Sequence, residues 1–187
     1  ADYLHRYAHL ELPEVLAALT ISEPVILVGH SDGGSIGLLF AAAYPERVKA
    51  LISMAAHVFV EEETLAGIEP AKAEYETKIR ERLRKYHPKQ VDALFYAWAN
   101  TWQSDAFRNW DITDELGKIV CPVLALQGDA DEYGTAAQVE AIVSGCSSEV
   151  RYQIIENCRH IPFLQQPEAT LEASKRFIED TKQKSEP

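Results

Sequence analysis

Residues 25–44 constrain this chain more than any other stretch. Val25, Ile26, Leu27 and Val28 form an apolar run without alternation. Gly29-His30-Ser31-Asp32-Gly33-Gly34 follows at once, and residues 35–44 are rich in alanine and leucine. An unalternating run this short suits a parallel strand covered on both faces. The glycine-rich stretch then leaves room only for a sharp turn before a helix. Pro45-Glu46-Arg47 stops that helix, and residues 48–54 read as a second buried strand. Ahead of the first strand, Leu4, Ala8, Leu12, Val15, Leu16 and Leu19 mark a helical stripe over residues 2–19, which Pro13 must kink or restart. Helix, strand, turn, helix, strand is the rhythm of a parallel α/β sheet.

The middle of the chain departs from that rhythm. Residues 62–86 read as one or two helices interrupted at Pro70, with Glu61-Glu62-Glu63 as a solvated helix start. Residues 88–102 read as another, with Val91, Leu94, Phe95, Trp98 and Trp102 near helical spacing. So much helix between strands exceeds a simple crossover. The expected organisation is therefore a core of residues 1–58 and 112–187 with a helical cap inserted at 59–111. The sheet pattern returns at residues 120–126, which end in Gln127-Gly128-Asp129-Ala130-Asp131. A helix at 135–144, a strand at 150–155 ending in Glu156-Asn157-Cys158-Arg159-His160, a helix at 167–180 and a frayed polar tail at 181–187 complete the reading.

Composition removes whole classes of function. The chain has 187 residues, 18 basic and 29 acidic, for a net charge of −11. Such a surface repels phosphate backbones and anionic membranes, so neither nucleic acid nor a membrane is an expected partner. The apolar runs fall far short of the ~20 residues that span a bilayer. Cys121, Cys146 and Cys158 are odd in number and lack a CxxC pair, so neither a disulfide framework nor a zinc site is expected, and a cytoplasmic location is the simplest.

The chemistry gathers at Gly29-x-Ser31-x-Gly33. A serine in a tight strand-to-helix turn stands above the carboxyl edge of the sheet. Gly29 and Gly33 are expected there because side chains would collide with neighbouring backbone. The helix N-terminus points at the same spot, which makes the Asp32 N–H a candidate oxyanion donor. A serine hydroxyl needs a base. Asp131 follows the third strand and His160 the last, so parallel strands bring both to the edge that carries Ser31. The order Ser–Asp–His is that of one hydrolase architecture among several. Asp129 competes with Asp131 for the acid role. His30 reads as a structural, hydrogen-bonded residue. His57, just past the second strand, reads either as pocket lining or as surface loop. Trp98, Trp102, Phe95 and Tyr96 are cap packing or a substrate platform, and Cys158 is a small buried hydrophobe. The glycines fit neither a P-loop, since Ser35-Ile36 stands where Lys and Ser/Thr belong, nor a dinucleotide fingerprint.

The stretches VILVGHSDGGSIGLLFAAAYPERVKALI and CPVLALQGDADEYG, with His160 and the QQPE behind it, resemble the α/β-hydrolase fold of cofactor-free serine hydrolases. The resemblance implies the C-terminal part of that fold, a mostly parallel sheet of about four strands with a helical cap. It implies Ser31 as nucleophile, His160 as base and Asp131, three residues after Gly128, as acid. Beside these, the residues themselves offer the Asp32 N–H at the oxyanion, and His57, Trp98 and Trp102 as candidate lining of the substrate pocket. The expected reaction is cleavage of a small ester or related acyl substrate, with no cofactor and no metal. Two departures stand out. Arg159 occupies a position where the family usually has glycine, a departure expected either to alter the loop or to place a cation near the site. The family also has further strands ahead of the serine strand, and a loop there supplies a second oxyanion donor. The chain therefore reads as truncated at its N-terminus. Its serine strand would be an exposed edge able to pair with a second copy, and its activity alone would be weak or absent. The alternative reading is an inactive fragment of a hydrolase.

Overall fold

Four short apolar runs pair into one parallel sheet in a computed structural model that describes residues 2–185. The strands are β1 (Val25–His30), β2 (Val48–Met54), β3 (Val123–Gly128) and β4 (Val150–Ile155), side by side in chain order. Val28 stands beside Ile52, Ile52 beside Leu124 and Leu124 beside Arg151. β3 begins later than residue 120, because Pro122 has no N–H to give the ladder and Val120 is exposed.

Alternation along the inner strands builds two cores. Leu51, Val123 and Ala125 face the helices Asp32–Ala43 and Ala136–Gly145, together with Leu4 and Leu16 of the N-terminal helix. Ala50, Ile52, Leu124 and Leu126 face the other way, onto Phe177 of the helix Pro167–Ser185. β2 and β3 are thus covered on both faces. β1 is not: it lies at an edge, and Val28 is 59% exposed. The final helix continues through Thr181 to Ser185, beyond the expected end, and Thr181 is buried. The last part of the expected frayed tail, Glu186 and Pro187, lies outside the described residues.

The two prolines leave different marks on their helices. At Pro13 the helix runs on without a gap, and it is distorted just before, where the turn Tyr7–Glu11 widens into a π-helical turn. Without an N–H at Pro13 the His9 carbonyl loses its intrahelical donor, and Tyr44 Oη replaces it at 2.8 Å. Pro70 lies inside the helix Glu62–Glu74, with no break there. The irregular turn comes later, at Tyr75–Ile79, where the buried Tyr75 ring stacks on Phe95 at 4.0 Å and donates to Asp92.

The segment between β2 and β3 leaves the sheet layer through an antiparallel bridge between Phe59 and Asp111. Between these residues lie the helices Glu62–Glu74, Arg80–Arg84 and Val91–Trp102. Glu61 is not a solvated start. It caps the first helix in a box with Thr64, and its carboxylate accepts from Thr135 N–H (2.9 Å), Thr135 Oγ1 (2.6 Å) and Gln138 Nε2 (2.7 Å). One acidic residue thereby ties the inserted helices to the loop after β3. No helix of the described residues is long and apolar enough to cross a membrane.

Candidate active site

The turn after β1 holds Ser31 at φ 55° and ψ −126°. A non-glycine residue there is strained and persists only where its surroundings over-determine it. The Ser31 N–H donates to the Met54 carbonyl at 2.8 Å, and the Ser31 carbonyl accepts from Gly34 and Ser35. The glycines divide their work differently from expectation. A Cβ on Gly29 would lie 2.2 Å from the Gly33 carbonyl oxygen, whereas a Cβ on Gly33 would meet nothing within 4 Å. The second tight position is Gly34, whose Cβ would come within 2.8 Å of the Ala56 side chain. The turn needs glycine at 29; close packing on the end of β2 needs it at 34.

The loops after β3 and β4 meet beside this turn. The parallel ladder ends them at the same edge, and Gly128 permits close approach, since a Cβ there would lie 2.3 Å from the Cys158 and Arg159 carbonyl oxygens. His160 Nε2 lies 2.9 Å from Ser31 Oγ, and His160 Nδ1 lies 2.9 Å from Asp131 Oδ1. The Asp131 carboxylate also accepts from Tyr133 N–H. Asp129, the competitor, faces elsewhere: it accepts from Cys158 N–H at 3.0 Å, and backbone donors from Cys158 and Asn157 hold its carboxyl below the usual range. Asp129 staples the two loops, and Asp131 reaches the imidazole.

Other contacts fix the histidine from behind. Glu132 accepts from the His160 N–H at 3.1 Å and pairs with Arg159 at 3.0 Å, so the arginine is engaged at the exposed side of the loop. His30 Nε2 lies 2.6 Å from the His160 carbonyl oxygen. Burial pushes the His30 imidazole below its ordinary pKa, so the ring is neutral and donates from Nε2. Cys158 is buried, and burial raises its thiol.

Asp32 heads the helix Asp32–Ala43, so its N–H is among those that helix geometry leaves without an intrahelical acceptor. Its side chain accepts from Tyr3 Oη at 2.5 Å, and Tyr3 Oη accepts in turn from Trp102 Nε1 at 2.8 Å. Burial raises the Asp32 carboxyl, and the Tyr3 hydrogen bond partly offsets this. Ser31, Asp32 and His160 share a small chamber of about 10 Å³ with His57, Trp98, Trp102 and Tyr133. That is space for about one water. Trp98 and Tyr133, whose rings meet edge-on at 6.0 Å, also bound a larger cavity of about 370 Å³, walled mostly by apolar side chains such as Ile79, Leu83, Val91 and Phe95.

His57, Trp98 and Trp102 all reach the chamber; Trp102 is at the same time buried among Phe107 and Trp110. Phe95 packs on Tyr75, Tyr96 and Trp98 and lines only the larger cavity. Tyr3, Thr64, Glu132 and Tyr133 are not legible as site residues. Tyr3 and Thr64 stand outside every motif, and Glu132 and Tyr133 follow Asp131 within CPVLALQGDADEYG with nothing local to mark their contacts.

The family model that matches is that of the alpha/beta hydrolase family, over residues 1–173. The chain is 22% identical to a proline iminopeptidase of Saccharolobus solfataricus over 218 aligned positions, covering 96% of this chain and 70% of that protein. Among solved structures it resembles a membrane phospholipase A described as a bacterial virulence factor, with a TM-score of 0.74 and 22% identity, covering 96% of this chain. It also resembles a serine hydrolase involved in carbazole degradation, with a TM-score of 0.73 and 22% identity, covering 94% of this chain and 71% of that one. The chain spans 64% of the length of the phospholipase.

Proposed function

We propose, from the premise that this chain belongs to the alpha/beta hydrolase family, that it is a serine hydrolase acting on a small ester or related acyl substrate. One observation carries the reading: Ser31 Oγ, His160 and the Asp131 carboxylate stand in a single chain of two 2.9 Å contacts. His160 Nε2 takes the Ser31 proton as Oγ bonds to the acyl carbon. Asp131 holds the Nδ1–H tautomer and steadies the imidazolium. The carbonyl oxygen gains negative charge, which the Asp32 N–H at the helix N-terminus stabilises. His160 returns its proton to the leaving group as that bond breaks. Water then attacks the acyl-enzyme, giving its proton to His160, and Ser31 recovers its own.

The helices between residues 59 and 111 act in this scheme as a cap. Trp98 and Trp102 wall the reacting carbonyl, and the larger apolar cavity beyond Trp98 and Tyr133 suits an apolar portion of the substrate. The free cysteines Cys121, Cys146 and Cys158 fit a reducing compartment.

Hydrolysis of 4-nitrophenyl esters tests the reading. Ser31→Ala is expected to lower kcat by on the order of 10³ or more. Turnover that is unchanged in Ser31→Ala contradicts it.

A further inference from the structure

His57 is 4% exposed, and its ring is part of the chamber wall, with centroids 5.1 Å from Trp102 and 6.3 Å from His160. Its backbone is fully engaged with Ser35: the His57 N–H donates to Ser35 Oγ at 3.0 Å, and that hydroxyl donates to the His57 carbonyl at 2.6 Å. The ring is engaged only on one side. Nε2 lies 2.8 Å from the Tyr133 carbonyl oxygen. A carbonyl only accepts, so Nε2 carries the hydrogen. Burial pushes the imidazole below its ordinary pKa, so the ring stays neutral. Nδ1 is then a bare lone pair. It is buried and has no hydrogen-bond partner among the described residues. Buried polar atoms are almost always paired, and an unpaired one carries its full desolvation penalty.

We infer that Nδ1 of His57 accepts a hydrogen bond from the substrate, and that the preferred acyl group carries an O–H or N–H donor within a few bonds of the scissile carbonyl. The inference rests on the reading of Ser31 as nucleophile and adds to it a substrate class. The two histidine rings among those that bound the chamber have separate tasks. His160 faces the serine and handles its proton. His57 presents an acceptor to whatever enters beside it. A site built around a buried acceptor rejects the analogue that lacks the donor more sharply than an apolar pocket distinguishes a methylene.

Phenyl esters of lactate, alanine and isobutyrate test this, because they differ at C2 by hydroxyl, ammonium or methyl. The matching 3-hydroxybutyrate and 3-methylbutyrate esters test the next carbon. For at least one donor-bearing ester, the ratio of kcat/KM to that of its methyl counterpart is expected to fall about tenfold or more in His57→Phe. His57→Gln keeps one donor and one acceptor and is expected to retain part of the ratio. Comparing ratios between variants cancels the intrinsic reactivity of each ester, and the lactate and alanine arms separate hydroxyl from ammonium. Ratios equal in the unaltered protein and His57→Phe overturn the inference. A second measurement needs no turnover: in ¹⁵N-histidine-labelled Ser31→Ala, the His57 Nδ1 resonance should move with a donor-bearing ester and not with its methyl counterpart. Equal movement with both, or none with either, also overturns it. Fluorophosphonate labelling of Ser31 keeps the two readings apart. Labelling without a change in ratio leaves the hydrolase reading standing and removes this one.

Discussion

The ring of His30 donates to the backbone carbonyl of His160 across 2.6 Å, so the residue next to the serine grips the main chain of the histidine that faces it. Phe163 closes edge-on against the same ring at 5.2 Å. The serine turn and the histidine loop are thereby locked by a contact separate from the Ser31–His160 hydrogen bond. His30→Phe keeps the ring volume and removes the donor. A misplacement of about 1 Å at a reacting group costs up to 10²-fold in rate. Steady-state kinetics should show kcat falling about 10-fold to 100-fold with KM little changed, and His30→Gln, which keeps an N–H donor, should recover part of the loss.

The buried histidines give stability a pH signature. Burial lowers the imidazoles of His30 and His57. Below the ordinary histidine value of 6.5 the unfolded chain takes up protons that the folded chain refuses, so stability rises with pH in that window. It is fully present above about 6.5 and declines as pH falls toward the folded-state values. Urea midpoints measured from pH 7.5 down to pH 5 should decrease. His30→Gln and His57→Gln should each flatten the slope.

Asp32 works in the opposite direction. Burial raises its carboxyl, so the stability attached to this group is present at low pH and lost as pH rises through the folded-state value. Burial thus makes ionisation of this side chain a cost to folding. Asp32→Asn keeps an oxygen to accept from Tyr3 and drops the charge. It should raise stability at pH 7, read as a higher urea midpoint than that of the unaltered protein. Denaturation at pH 3.5 should show that gain reduced.

The two glycines that flank Ser31 should respond oppositely to alanine. In Gly29→Ala the new methyl would sit 2.2 Å from a backbone oxygen, so the turn must move. A loss above about 3 kcal/mol is expected by chemical denaturation. In Gly33→Ala the methyl meets open space on a helix, and stability should rise by about 0.5–1 kcal/mol.

The contrast between these glycines reflects what a sequence carries. The strand at 25–30 and the sharp turn after it are legible because an apolar run, two glycines and a helix-forming stretch are all local signals. The loop ends that deliver Asp131 and His160 are legible for the same reason, since each follows a strand by a few residues. Which glycine meets a wall depends on the end of β2, which no local pattern encodes; hence Gly34 takes the packing role expected of Gly33. Glu61 looks like one of three solvated acids, yet its carboxylate is held by Thr135 and Gln138, more than seventy residues on. Pro70 looks like a break, but its helix continues and the irregular turn forms where Tyr75 meets Phe95. The second face of His57 is equally invisible: only the fold reveals that one ring nitrogen is bonded to Tyr133 and the other is buried without a partner among the described residues.

Catalysis by this site requires that Ser31 be a nucleophile whose proton His160 takes. Incubation with a fluorophosphonate, followed by peptide mass spectrometry, reads this directly. The expected result is one adduct per chain, on Ser31, forming much more slowly in His160→Ala. An intact Ser31 after prolonged exposure, or an adduct that forms equally fast without the His160 imidazole, contradicts it.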